Sequence, residues 1–475
     1  MPNGIDPRWA WAEYKPSAKS PWDRKKVGHL YRRAAFGATW DELETALKAG
    51  PQQTIDRLLK GGDGLDDFER RTDLLKKKIA DANNAQQARA WWLYRMLYTP
   101  HPLREKMTLF WHNHFATSNA KVNNIGYMLG QYDLMYQHAL GNFADHLQAM
   151  SKDPAMLIWL DTNISPRNKP NENYARELME LFSLGIGNYT EEDIREAARA
   201  FTGWRIRDGK GVFVPEEHDP GVKTVLGRTG KFKGEDIVRI CLEQKSAPYF
   251  IAGKLYRFLI SETEPADETL LEPLAEDFRR SNYDFGKLVA RVLRSNLFFD
   301  PRSYRARVKA PVDFALGIVR GLEGHVPAKE KKGRLLGTPA LATALQAMGQ
   351  DLFHPPSVKG WDGGTAWLNG QTLLYRQNLA LAMTSTTDPR FGSRLDPAFV
   401  AYHHGVERDE ELVDFFLDLF LEGEVPPETR QNLLDYMQKS KKQPVPVFWT
   451  SRDAHQHRVR ALCHLVLTQP EFQLD

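Results

Sequence analysis

Apolar residues recur every three to four positions through most of the chain, the period of an amphipathic helix. The pattern predicts helices over 26–36, 39–49, 51–59, 68–98, 103–114, 125–140, 143–152, 171–184 and 191–201. It continues over 234–244, 248–259, 265–281, 284–295, 311–322, 339–348, 370–383, 409–421, 427–438 and 454–467. The long 68–98 helix stops before Thr99-Pro100, because the residue before a proline resists helical backbone. Thr190 and Asp193 have capping-box spacing, with Asp in place of the usual Glu. Strand alternation appears only over 204–227, where WRIR, the turn DGKG and VFVP read as a hairpin. KTVLG adds a third short strand. The expected fold is mostly α: a large multi-helical domain, toroid-like or an irregular bundle, with a small β-hairpin insertion near 204–227. An N-terminal arm covers 1–28, the main domain 29–383, and a C-terminal helical subdomain 384–475, entered through a linker-like stretch at 384–397. No repeat of fixed period is evident.

Composition narrows the function classes. Hydrophobic residues make up 42% and charged residues 26% of 475, which suits a globular chain with a large core. Lys and Arg number 64 against 61 Asp and Glu, so no general attraction to nucleic acid follows. The basic run at 329–334 reads as a solvated loop. The two cysteines, Cys241 and Cys463, sit in apolar helical stretches and read as buried free thiols. No stretch of about 18 apolar residues occurs, so no membrane span is expected. Arg32-Arg33 has the look of a twin-arginine pair, yet AAFGATWDELE follows instead of an apolar run. The chain reads as cytoplasmic as written, or exported if a leader was removed.

The densest chemistry lies in NENYARELMELFSLGIGNYTEEDIREAARAFTGW, residues 171–204. On a helix, Tyr174, Ala175, Leu178, Met179, Leu181 and Phe182 share one arc, and Glu172, Asn173, Arg176, Glu177 and Glu180 share the other. A solvated charged face accounts for this pattern. If a second layer covers that face, Arg176 keeps one carboxylate ionised while another is left with a raised pKa, which supplies a base and an acid. In WHNHF (111–115), His114 falls on the apolar stripe with Leu103, Met107 and Phe110, and His112 points away, so one metal cannot take both while the helix persists. HDPGVK (218–223) is a turn that can present His218, Asp219 and Lys223 at a cleft edge. FHPPSVKGWDGGTAWLN (353–369) carries Trp361 and Trp367, which either stack a planar ligand or pack as a buried loop. The expectation is an acid/base enzyme, a hydrolase or lyase, acting on a polar substrate such as a saccharide. Glu172, Glu177, His114 and His218 are its catalytic candidates. Arg176, Glu180, Asp219, Lys223, Trp204, Trp361 and Trp367 are its binding candidates. The alternatives are a divalent-metal enzyme with Glu and His ligands, and a non-catalytic binding or assembly protein. No nucleotide or flavin motif is present, nor a G-x-S-x-G elbow.

LYRRAAFGAT, REKMTLFWHNHFATS, the 171–204 segment, HDPGVKTVLGRTGKFKG, HPPSVKGWDGGTAWLN and LTQPEFQ together resemble the bacterial DUF1800 family, a domain of unknown function. The resemblance runs from about His29 to the end of the chain. It implies no catalytic residues. It does imply relatives that are often exported by a twin-arginine route and encoded beside a sulfatase-like protein. No such leader is expected from the chain as written.

Overall fold

The computed structural model describes residues 4–326 and 337–475; the basic run at 329–334 lies outside the described residues. Helices dominate, with two small two-stranded antiparallel sheets. Most predicted helices appear within a few residues of their expected ends, because proline at the first turn and side-chain caps mark them. Thr39 and Glu42 form a reciprocal capping box, as do Thr190 and Asp193. Leu30, Trp92, Met107, Phe182, Leu255, Phe314, Phe416 and Leu462 belong to one continuous apolar core, contributed by all parts of the chain. The N-terminal arm joins it: Trp11 and Tyr14 are buried, and the Trp11 indole donates to the Leu270 carbonyl at 2.6 Å.

Three predicted elements differ. The 68–98 helix is a helical hairpin, Leu65–Asp81 and Ala85–Tyr98. Asn83 turns the chain with a φ of 47°, and the Asn84 side chain caps the second helix by accepting from the Gln87 amide at 2.9 Å. Asparagine tolerates the left-handed conformation and caps well, so two consecutive asparagines break the helix. The KTVLG strand does not extend the first hairpin. Trp204–Arg207 pairs with Lys210–Phe213 around Asp208-Gly209, and Lys223–Val225 pairs separately with Arg228–Gly230. Both turn residues of the first hairpin have positive φ, 50° and 75°, the conformation that Asp-Gly supplies. Finally, 171–184 is not one α-helix. Asn173–Glu177 is α-helical, and Leu178–Ser183 is a π-helix. The 384–397 stretch leads into a further short helix, Pro397–His403.

Both cysteines are free and buried. Arg33 is wholly buried and donates to the carbonyls of Ser303 and Asp475, and Arg32 pairs with Glu422. The adjacent arginines therefore act as interior ties between distant parts of the chain. No helix among the described residues is long and apolar enough to cross a membrane.

Candidate functional site

The predicted site residues fall into three separate networks. The first is the charged arc. Its apolar counterpart is buried as expected: Tyr174, Ala175, Leu178, Met179 and Phe182 are all within the core. Arg176 bonds Glu172 at 3.2 Å and Glu191 of the next helix at 2.8 Å, and their side chains keep a third or more of their surface in solvent. Glu180 accepts from the Tyr189 hydroxyl at 2.8 Å. Burial, and then the neighbouring Glu180, push the Glu177 carboxyl above its usual range, with Arg176 opposing. None of the described cavities is lined by these residues.

The second network holds the β insertion onto the Glu191–Ala200 helix. His218 is buried against Phe213, and its Nδ1–H donates to the Thr202 carbonyl at 3.1 Å. Asp219 accepts from Arg199 at 2.7 Å, which holds its carboxyl below the usual range. Lys223 is buried and donates to the carbonyls of Asp219 and Gly221 at 2.6 and 3.0 Å. Leu226, at the tip of the second hairpin, donates its amide to Asp193 at 2.6 Å. Trp204 is buried on Phe213. The bonds of His218, Asp219, Lys223 and Leu226 lie inside the insertion or join it to its docking helix.

The third network radiates from WHNHF. The Pro102–His114 helix ends there, and three consecutive side chains reach out, His112 and Asn113 to the 353–369 loop and His114 to the π-helix. His112 Nε2 accepts from the Phe353 amide at 3.2 Å. Asn113 bonds the backbone of Trp361 twice, accepting from its amide at 2.7 Å and donating to its carbonyl at 3.3 Å. Gly360 has a φ of 84°, and a Cβ there would lie 2.2 Å from Asn113 Oδ1, so only glycine permits this approach. Trp361 and Trp367 are buried with Val308 in a small apolar cluster. They pack the loop and do not form an open stacking platform.

His114 reaches the π-helix. Its Nε2 lies 3.1 Å from the Phe182 carbonyl, which can only accept, so Nε2 carries the hydrogen and Nδ1 the lone pair. Lys254 Nζ donates to that Nδ1 at 3.1 Å and to the Leu181 carbonyl at 3.0 Å. The π-turn makes this possible. The amides of Leu184 and Gly185 both bond back to Met179, leaving the Leu181 and Phe182 carbonyls free at the end of the element. Gly185, with a φ of 84°, ends it. Burial, then Arg257, push the Lys254 ammonium down to about 7. Burial, with Lys254 and His146 nearby, holds His114 neutral. Lys254 is half-buried, and among the described residues its ammonium meets a neutral imidazole, a carbonyl and the face of Phe250, and no carboxylate.

Among the described residues, no hydrogen bond or ion pair joins Glu172 or Glu177 to His114 or His218. Nor do any three His, Cys, Asp or Glu side chains converge to hold a metal ion. Lys254 is the residue that sequence reasoning missed. Its signal in the sequence is a lysine with Phe250, Ile251 and Phe258 at three of its four helical neighbour positions, Arg257 taking the fourth.

No curated protein and no solved structure gives a significant match to the chain. The sequence profile of a family described as a protein of unknown function, DUF1800, matches residues 29–474, and the chain belongs to that family.

Proposed function

We propose that the chain is an acid/base enzyme, a hydrolase or lyase, acting on a polar substrate such as a saccharide. Lys254 is its base and Glu177 its acid. The observation that carries this reading is the lysine with no carboxylate partner. An amine held near neutrality can take a proton at physiological pH, where an ordinary lysine is protonated and inert. His114 orients it through Nδ1 and is itself oriented by the Phe182 carbonyl. Glu177 ends the α-helical part just before the π-helix that carries Leu181, and burial raises its carboxyl above the usual range. Glu180 and Arg176 bear on the acid only through charge. His218, Asp219 and Lys223 hold the insertion in place.

A second reading, a non-catalytic assembly protein, is favoured by one observation: Glu172, Glu180 and Glu191 are all paired, and no described cavity reaches them. Competitive acetylation of the folded protein across pH about 6 to 10, read by mass spectrometry on the Lys254 peptide, separates the two. Half-maximal reactivity near pH 7 is the expected result. A midpoint at the ordinary lysine value would sink the catalytic role. On a saccharide that the protein turns over, Lys254→Met should lower the rate by at least about 100-fold, and Lys254→Arg should not restore it.

A further inference from the structure

A cavity of about 750 Å³ opens in the C-terminal part of the chain, between the Gly370–Thr384 and Ser451–Leu467 helices. That volume lies within the range of about 300–1,000 Å³ usual for small-molecule sites. Its lining combines two kinds of surface. Phe448 and Trp449 supply aromatic faces, with Phe448 84% exposed and Trp449 packed against the His457 ring at 5.0 Å. Residues 384–387 carry four consecutive hydroxyls, of which Thr384 bonds the Ala380 carbonyl at 2.9 Å and Ser385 and Thr387 pair at 2.8 Å, leaving that of Thr386 toward the cavity. His457 and His464 come from one helix seven residues apart, two turns along the same face. His464 Nδ1 is buried with no partner.

The charged groups at this cavity are already committed. Arg460 bonds both oxygens of Asp396 at 2.9 Å. Asp453 caps its own helix, accepting from the Thr450 amide and hydroxyl at 2.9 and 2.7 Å. The groups left for a ligand are therefore two imidazoles, the Thr386 hydroxyl and aromatic faces. Among the described lining residues an anion finds no arginine or lysine that is not already paired, and a purely apolar ligand would strand the buried His464 Nδ1. A sugar ring matches both surfaces, with C–H groups on its faces and hydroxyls around its edge.

We propose that this cavity binds a neutral oligosaccharide, one ring packing on Trp449 and Phe448 while its hydroxyls bond to His457, His464 and the Thr386 hydroxyl. The site goes beyond the acid/base reading, since it uses none of the residues assigned there.

Calorimetric titration of the full chain with cellohexaose and with mannohexaose tests it. At least one should bind. Trp449→Ala and His457→Ala should each weaken binding by at least about tenfold, while Lys254→Met leaves it unchanged. Trp449 is half-buried and His457 exposed, so an unchanged Tm is expected and serves as the folding control. Four outcomes would overturn the proposal: no binding of either sugar, equal binding to the Trp449→Ala protein, tighter binding of a sulfated hexasaccharide, or loss of binding in Lys254→Met. Because binding is read without turnover, failure of this site leaves the Lys254 result standing, and the reverse also holds.

Discussion

Arg95 and Lys254 are both cations turned into the interior of this molecule, and their surroundings treat them in opposite ways. Arg95 lies between two carboxylates, bonding Glu105 at 2.7 Å and Glu69 at 2.7 and 2.8 Å, with the Thr72 hydroxyl at 2.6 Å. Glu105 also accepts from the Trp92 indole at 3.0 Å and the Tyr132 hydroxyl at 2.8 Å. Burial raises the Glu105 carboxyl above its usual range, and the Arg95 charge and the three donors aimed at it oppose that rise. Lys254 has a neutral histidine and a carbonyl. Desolvation therefore meets compensation in one place and almost none in the other. A compensated buried ion locks a fold; an uncompensated one is a group whose proton is available.

Breaking each pair should separate the two roles. Glu105→Gln leaves Arg95 short of a counter-charge and turns an amide toward three donors. A loss of about 3–5 kcal/mol in urea denaturation is expected. Lys254→Met removes a poorly compensated amine and should change stability by no more than about 1 kcal/mol near pH 9. The sign with pH follows from the lowered pKa. Below about 7 the lysine is charged in both folded and unfolded chains, and the folded state bears the full desolvation penalty. As pH rises from about 7 toward the unfolded value the folded chain sheds that proton first, and the penalty fades. The Met variant should thus gain on the parent at pH about 6 and lose that advantage by pH about 10. An advantage that grows with pH would contradict the comparison.

The WHNHF junction offers a smaller and more local break. Asn113→Ala removes both bonds to Trp361 and leaves a buried amide unpaired, for an expected loss of about 1–3 kcal/mol. If the loop at 353–369 were an open ligand platform, the variant would lose binding and keep its stability. The burial of Trp361 and Trp367 predicts the reverse.

How far the sequence could be read follows from this junction. Helix ends were legible because caps and prolines act over three or four residues, as at Thr190 and Asp193. The apolar arc of 171–184 was legible because burial follows period. The switch to π-helix at Leu178 was not, since it changes one hydrogen-bond step and leaves the apolar stripe intact. His114 was placed correctly on its stripe, but its partner lies 140 residues away, and nothing local announces such a contact. The tryptophans of the 353–369 loop had two readings of equal standing, and only the reach of Asn113 from another helix chose between them.

The gentlest break concerns the charged arc. Arg176 bonds two carboxylates, yet its side chain is 34% exposed and those of its partners 40% and 62%. Exposed pairs contribute about 0.2–1 kcal/mol each and are screened by salt. Arg176→Ala should therefore destabilise the fold by less than about 1 kcal/mol, with the difference shrinking in high salt. Its second effect is on the acid. Arg176 opposes the rise of the Glu177 carboxyl, so its loss should move the acid limb of a pH–rate profile upward. An unmoved limb with stability intact would mean that Glu177 is not the proton donor, and the catalytic reading would rest on Lys254 alone.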